Sequence, residues 1–234
     1  MKINVLDHIG HVTLRENMGS DLTVVNAARV SYDKRKEEFD SKDRRLLHYL
    51  IKNKHTSPLR HATIQLEVYA PLFVARQWWK HAIGSSYETL TAWNESSRRY
   101  VTEEPEFYIP EVYQWRLAPD NKKQGSGDLV FETDELLAKE SQYYMKKHVT
   151  DSLDLYEQAM SYGIAPEQAR LFLPAYAMYV RFMWTTSLQS ALHFLDLRLD
   201  DNAQWEMREY AKAVAEIVEK QYPETFEAWR LSST

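Results

Sequence analysis

The sequence predicts a helix-rich α+β fold with a small antiparallel sheet, and three features carry that expectation. Residues 61–70 set Ala62, Ile64, Leu66, Val68 and Ala70 in alternation with Thr63, Gln65, Glu67 and Tyr69, the period of a strand with one buried face. Residues 134–161 contain no glycine or proline and read as one long helix ended by Gly163. Met207, Tyr210, Val214 and Ile217 recur at the spacing of a single helical face. With 234 residues and no repeat or low-complexity linker, the chain reads as one domain spanning 1–234.

The remaining elements follow in chain order. Residues 2–14 alternate loosely and predict a strand or hairpin around Gly10. Asp21 is placed to cap a helix through Val24, Val25, Ala28 and Val30 that ends near Ser31 and Asp33. The charged run 34–43 reads as a solvated loop and helix start, before a helical stripe of Leu46, Leu47, Leu50 and Ile51. Pro71 suits the first turn of a helix on which Leu72, Ala75 and Trp79 share one side. On the same helix Arg76 and Lys80, and Gln77 and His81, stack four apart as two polar ridges. Residues 108–112 read as a short extended segment and 122–128 as a surface loop. Pro166 opens a helix carrying Arg170, which Pro174 ends. Residues 176–186 are aromatic and β-branched and read as a strand, with helix as the alternative. Asp201 and Gln204 have the spacing of a capping box for the helix that buries Met207.

Composition narrows the function. A net charge of -5 argues against a generic nucleic-acid binder, which needs a basic face. The chain has no cysteine, which excludes a disulfide framework, a thiolate nucleophile and a zinc-thiolate site. The residues after Met1 contain no apolar signal segment and no run reaches membrane-spanning length, so a cytoplasmic protein without membrane association is expected. No His-Glu-x-x-His pattern or comparable spacing points to a metal.

One stretch carries most of the chemistry. Residues 76–100 crowd cationic, aromatic and small hydroxyl side chains onto a helix end and the polar loop that follows it. Lys80, Arg98 and Arg99, with Arg170 and Arg198 further on, offer positive charge; Ser85, Ser86, Ser96 and Ser97 offer hydroxyl donors. Guanidinium forks and hydroxyls together suit a phosphate, and Asn94 and Glu95 suit the edge of a heterocycle. Any one arginine taken singly is more often a solvated ion-pair former, and it is the cluster as a whole that points to a ligand. There is no G-x-S-x-G elbow, and no G-x-G-x-x-G or Walker loop, so a nucleotide must be held by side chains and helix ends.

The same stretch, with several motifs elsewhere, resembles the flavin-dependent thymidylate synthase (ThyX) family. That family's signature is Arg-His-Arg, a seven-residue spacer and Ser. This chain has VARQWWKHA at 74–82 and NESSRRY at 94–100, supported by AARVSYD at 27–33, HTSPLRH at 55–61, EQARLFLP at 167–174 and FLDLRLDDNAQWE at 194–206. Lys80 and Ala82 stand where the signature has arginines, the spacer is longer, and Ser187, Gln189 and His193 replace the later flavin-side residues.

The resemblance implies a ThyX-like fold and the reductive methylation of dUMP to dTMP. FAD is the implied cofactor, with NADPH as reductant and 5,10-methylenetetrahydrofolate as carbon donor, and no enzyme nucleophile. It implies Arg198 as the catalytic cation that activates uracil. The implied dUMP site comprises Gln77, Trp78, Trp79, Lys80, Glu95, Ser96, Ser97, Arg98, Arg99, Arg170 and Arg198. The implied FAD site comprises Ser31, Ser57, Arg60, Lys80, His81, Ala82, Glu95, Ser187, Gln189 and His193. It also implies a homotetramer with shared active sites. Two alternatives stand beside it: a related flavin-dependent one-carbon transferase acting on another pyrimidine nucleotide, and a non-catalytic uridylate-binding protein.

Overall fold

The computed structural model describes residues 1–81, 91–96, 104–120 and 125–232. Strand β1 (Lys2–Val5) and strand β2 (Gly10–Met18) form the expected hairpin. Its turn puts Leu6 and His8 at positive φ and is held by Asp7, whose Oδ1 accepts from the Ile9 amide at 3.1 Å. Gly10 is required by a close approach: a Cβ there would lie 2.1 Å from the Tyr210 hydroxyl. Helix α1 (Asp21–Arg29) and helix α2 (Ser41–Lys52) follow.

The cap of α1 is Ser20, not Asp21 as the sequence suggested. The Asp21 carboxylate is drawn into the interior, where the last helix needs it. Its Oδ1 accepts from the Thr225 amide at 2.9 Å, and its Oδ2 from the Glu224 amide at 3.1 Å.

A 3₁₀ turn (Ser57–His61) leads into strand β3 (Thr63–Pro71), the middle of the sheet. Ala62, Ile64, Leu66, Val68 and Ala70 are all fully buried, as their alternation predicts. The opposite face is polar: Gln65 Nε2 donates to Thr185 Oγ1 at 3.1 Å, and Glu67 is bound by Arg15 and Arg181. Helix α3 (Leu72–Trp79) starts directly after Pro71. It buries Val74, Ala75 and Trp78, so its apolar side is rotated from the expected Leu72–Ala75–Trp79 line, and Trp79 is left exposed. Strand β4 (Ala92–Glu95) lies at the sheet edge.

Beyond β4 come a 3₁₀ turn (Val112–Gln114), helix α4 (Val130–Thr133) and helix α5 (Glu135–Ser161), which Asp134 caps through the Leu137 amide at 2.9 Å. Helix α6 (Pro166–Ala169) passes into a 3₁₀ turn (Arg170–Phe172). Residues 179–187 are a strand, β5 (Tyr179–Ser187), which settles that ambiguity in favour of strand. Among the described residues the sheet is five-stranded and antiparallel, in the order β1-β2-β3-β5-β4.

Helix α7 (Leu188–Arg198), helix α8 (Trp205–Gln221) and helix α9 (Pro223–Ser232) complete the chain. The cap residue of α8 is Gln204; Asp201 instead binds Arg208 at 2.8 Å, so the anticipated capping box does not form. The core lies between the apolar face of the sheet and α7, α8 and α9, and is rich in rings. Trp78 packs against Phe194 with centroids 4.6 Å apart, and against Phe182 and Trp184 at 5.5 Å each.

Candidate active site

Two helix C-termini converge to build the site. Helix α3 ends by presenting Gln77, Lys80 and His81, and α7 ends on Arg198, where a cation also meets the negative end of the helix dipole. Between them lies a cleft of about 640 Å³. Gln77, Lys80 and Arg198 line it, with Gln114, Trp115 and Arg116 on one wall and Asn202, Gln204 and Glu206 on another.

Arg198 is half-buried, and its Nε donates to His81 Nε2 at 3.1 Å. The acceptor nitrogen carries no proton, so His81 must be the neutral tautomer protonated on Nδ1. Its surroundings enforce this. Burial, then the charges of Arg198, His193 and Lys80, push the His81 pKa down to about 3. Burial also lowers the pKa of Arg198 from its ordinary value. The Arg198 amino groups have no protein partner among the described residues, which leaves a fixed, partly desolvated cation with free donors. Arg116 stacks over Trp205 at 5.0 Å, and its Nε, like Trp115 Nε1, is buried without a partner. The cleft therefore carries three cations, Lys80, Arg116 and Arg198, against the single carboxylate of Glu206 among its lining residues. Such a cleft attracts an anion.

Several of the residues expected on the cofactor side lie on elements that pack together near α7. The His81 and His193 rings are 6.1 Å apart. Helix α7, which carries Gln189 and His193, packs on the 3₁₀ turn bearing Ser57 and Arg60, and that turn packs on α1. A second cleft, of about 620 Å³, opens there between Ser20, Asn26, Val30, Lys34, Arg35 and His61. Ser31, Ser57, Arg60 and Lys80 are exposed, and neither Arg60 nor Lys80 is in an ion pair among the described residues. Exposed cations and hydroxyls on these elements suit a cofactor that carries a pyrophosphate.

Two expected site residues are corrected. Trp78 is fully buried at the centre of the aromatic core, so it supports α3 and has no surface to offer a nucleotide. Ser187 is also fully buried, with its hydroxyl accepting from the Ser190 amide at 3.2 Å as the cap of α7, so it has no surface to offer a flavin. Trp79 is exposed beneath the Arg76 guanidinium, 5.1 Å from its ring centroid.

Other expected residues are not gathered at the cleft within one chain. Glu95 and Ser96 lie on or just after the edge strand β4, with the Ser96 amide donating to Arg181 O at 2.8 Å. Arg170 is exposed, with its Nε on the Glu167 carbonyl at 3.1 Å. Ala82, Ser97, Arg98 and Arg99, with Ser85 and Ser86, lie outside the described residues. Sequence reasoning missed Gln114, Trp115, Arg116, Asn202 and Glu206 as cleft residues, and assigned Gln204 only to a cap. The Trp-Arg pair at 115–116 repeats the aromatic-cation signature of α3 and was the available clue.

Among the described residues no three His, Asp or Glu side chains cluster as a metal ion would require, and no helix is long and apolar enough to cross a membrane.

A family model described as thymidylate synthase complementing protein matches residues 13–224. The flavin-dependent thymidylate synthase of Thermosipho africanus is 37% identical, over 98% of this chain and 94% of its own length. That of Thermotoga neapolitana is 39% identical, with the same coverage of each. The crystal structure of the UMP/dUMP methylase PolB from Streptomyces cacaoi, bound with 5-Br dUMP, matches with a TM-score of 0.81 and 27% identity. That match covers 98% of this chain and 97% of PolB.

Proposed function

Because the chain belongs to the family of thymidylate synthase complementing proteins, we propose that it is a cytoplasmic flavin-dependent thymidylate synthase. It methylates dUMP to dTMP, taking the carbon from 5,10-methylenetetrahydrofolate and reducing equivalents from NADPH through FAD. The observation that carries this reading is the Arg198–His81 pair: a cation held by a neutral acceptor, at the wall of a donor-rich cleft.

With no cysteine in the chain, uracil cannot be activated by thiolate attack. Charge must do it. A guanidinium facing the base stabilises the anion formed when N3 loses its proton, and partial burial of Arg198 strengthens that interaction. Gln77 and Lys80 orient the nucleotide from α3. The phosphate falls to Ser97 and Arg99, with Ser96, Arg98 and Glu95 beside them, and to Arg170 contributed by another copy of the chain. Ser31, Ser57, Arg60, Lys80, His81, Gln189 and His193 would hold FAD, with Glu95 and Ala82 alongside. When bound, that cofactor supplies the hydride that completes the methyl group.

Release of tritium from [5-³H]dUMP, with FAD, NADPH and methylenetetrahydrofolate present, tests the assignment; no release under those conditions overturns it. Arg198→Ala is expected to lower turnover by about 10³-fold while weakening dUMP binding much less. Undiminished turnover removes Arg198 from the mechanism.

A second reading concerns the sugar. PolB is described as acting on UMP as well as dUMP, and methylation of UMP by this chain is tested by offering both nucleotides at equal concentration. A non-catalytic uridylate binder is distinguished by colour: it would purify without a yellow chromophore and take up no flavin on titration.

A further inference from the structure

Three side chains on the cleft wall form a hydrogen-bonded row whose direction is set by its far end. Glu206, in the first turn of α8, ends in a carboxylate, which when ionised can only accept. Its Oε2 accepts from Gln204 Nε2 at 2.8 Å. With its amide nitrogen committed, Gln204 turns its carbonyl oxygen to Gln77, and Oε1 accepts from Gln77 Nε2. Gln77 Oε1 then has no protein partner among the described residues.

This matters because, apart from the Glu206 carboxylate at the end of the row, most side chains of the cleft are donors. Lys80, Trp115, Arg116 and Arg198 can only donate. Gln114 Oε1 already accepts from the Glu111 amide at 2.8 Å, and its amide hydrogens remain to donate. Asn202 keeps a free oxygen but is exposed to solvent. A uridine monophosphate presents many oxygens and only a few hydrogens, at N3 and on the sugar. A cleft dominated by donors satisfies the oxygens, and its few acceptors decide how well those hydrogens are matched.

We propose that Glu206 is a positioning residue that acts through Gln204 to fix the amide of Gln77 with its carbonyl oxygen free for the nucleotide. Beside the Glu206 carboxylate the half-buried wall thereby gains an uncharged acceptor, matched to an N–H or O–H of the ligand. This rests on the dUMP reading above and adds a residue to that site. Glu206 touches no reacting atom; its effect is on which end of Gln77 faces the ligand.

The test is dUMP affinity of the flavin-loaded full-length protein, measured by calorimetry. In Glu206→Gln the far end can donate or accept, so the row loses its fixed direction; dUMP affinity is expected to fall about tenfold. KM for dUMP should rise by a similar factor with kcat within about twofold, and thermal midpoint and flavin absorbance should not change. Gln204→Met, which cuts the row, is expected to give the same loss and covers the case in which Glu206→Gln fails to fold. The double variant Gln77→Glu with Glu206→Gln sets the direction from the other end and is expected to recover part of the affinity. With N3-methyl-dUMP or the 3′-deoxy analogue, the gap between wild type and Glu206→Gln closes for the one lacking the hydrogen Gln77 receives; a gap that closes for neither counts against the row. Wild-type affinity in both Glu206→Gln and Gln204→Met overturns the proposal while leaving the synthase reading intact. A wild-type protein that binds no dUMP overturns both.

Discussion

His81 is the residue on which the site turns, because its charge is decided by what surrounds it. A protonated imidazole could not accept from Arg198, and two cations 3.1 Å apart would repel. The depressed pKa has a consequence for stability. The unfolded chain binds a proton at this imidazole as pH falls below its ordinary value of 6.5, whereas the folded chain resists until about pH 3. Stability contributed by neutral His81 is therefore complete above pH 6.5 and lost progressively on the way down. In a His81→Gln variant, which keeps an acceptor but does not titrate, the fall in Tm between pH 6.5 and 4 is expected to be shallower than in wild type. Parallel curves would mean that His81 is not held neutral.

At the scale of elements, distant parts of the chain complete each other's helix ends. Helix α9 has its first amides satisfied by Asp21, which also accepts from the Thr225 hydroxyl at 2.5 Å. Removing that carboxylate leaves buried donors without a partner, so Asp21→Ala is expected to cost about 2 kcal/mol and lower Tm by roughly 4–8 °C. Denaturant midpoints would check the first figure. The same logic governs the α3–β3 corner. Trp78 is wholly buried and Trp79 is 42% exposed, although they are neighbours of identical type. Trp78→Ala is expected to cost about 3–5 kcal/mol by opening a cavity. Trp79→Ala should cost well under 1 kcal/mol in the isolated chain.

For the molecule as a whole, the proposed nucleotide site calls on an arginine, Arg170, that does not line the cleft of its own chain. Arg170 sits on an exposed 3₁₀ turn, next to Leu171 at 81% and Phe172 at 45% exposure. The same turn packs on α5, whose Leu136, Tyr143, Tyr144 and Leu155 are also exposed. The homotetramer that the family resemblance implies would cover this surface and bring one copy's Arg170 to another's cleft. Mixing inactive Arg170→Ala and Arg198→Ala proteins under conditions that exchange subunits is then expected to restore part of the turnover, because some sites regain both arginines. No recovery, with exchange verified by mass, would place both residues in one chain's site.

Much of this protein was legible residue by residue. The alternation at 61–70 and the helical spacing of Met207, Tyr210, Val214 and Ile217 became β3 and α8 because both patterns are local consequences of backbone period. Arg198, Gln77 and Lys80, which line the cleft, could be singled out beforehand because residue type and motif order are properties of the chain itself. What the sequence could not specify is partnership at a distance. Arg198 meets His81 across 117 positions and Gln77 meets Gln204 across 127, and no periodicity encodes either pair. Capping residues misled for the same reason: Asp21 lies at the right spacing for α1, but the packed structure spends its carboxylate on α9, 204 positions away. Trp78 and Trp79 are interchangeable in composition, and only the rotation of a short helix on the sheet decides which is core. Local order is written in the chain, whereas the chemistry of the cleft depends on desolvation and on donors finding acceptors, which exist only once the core has closed.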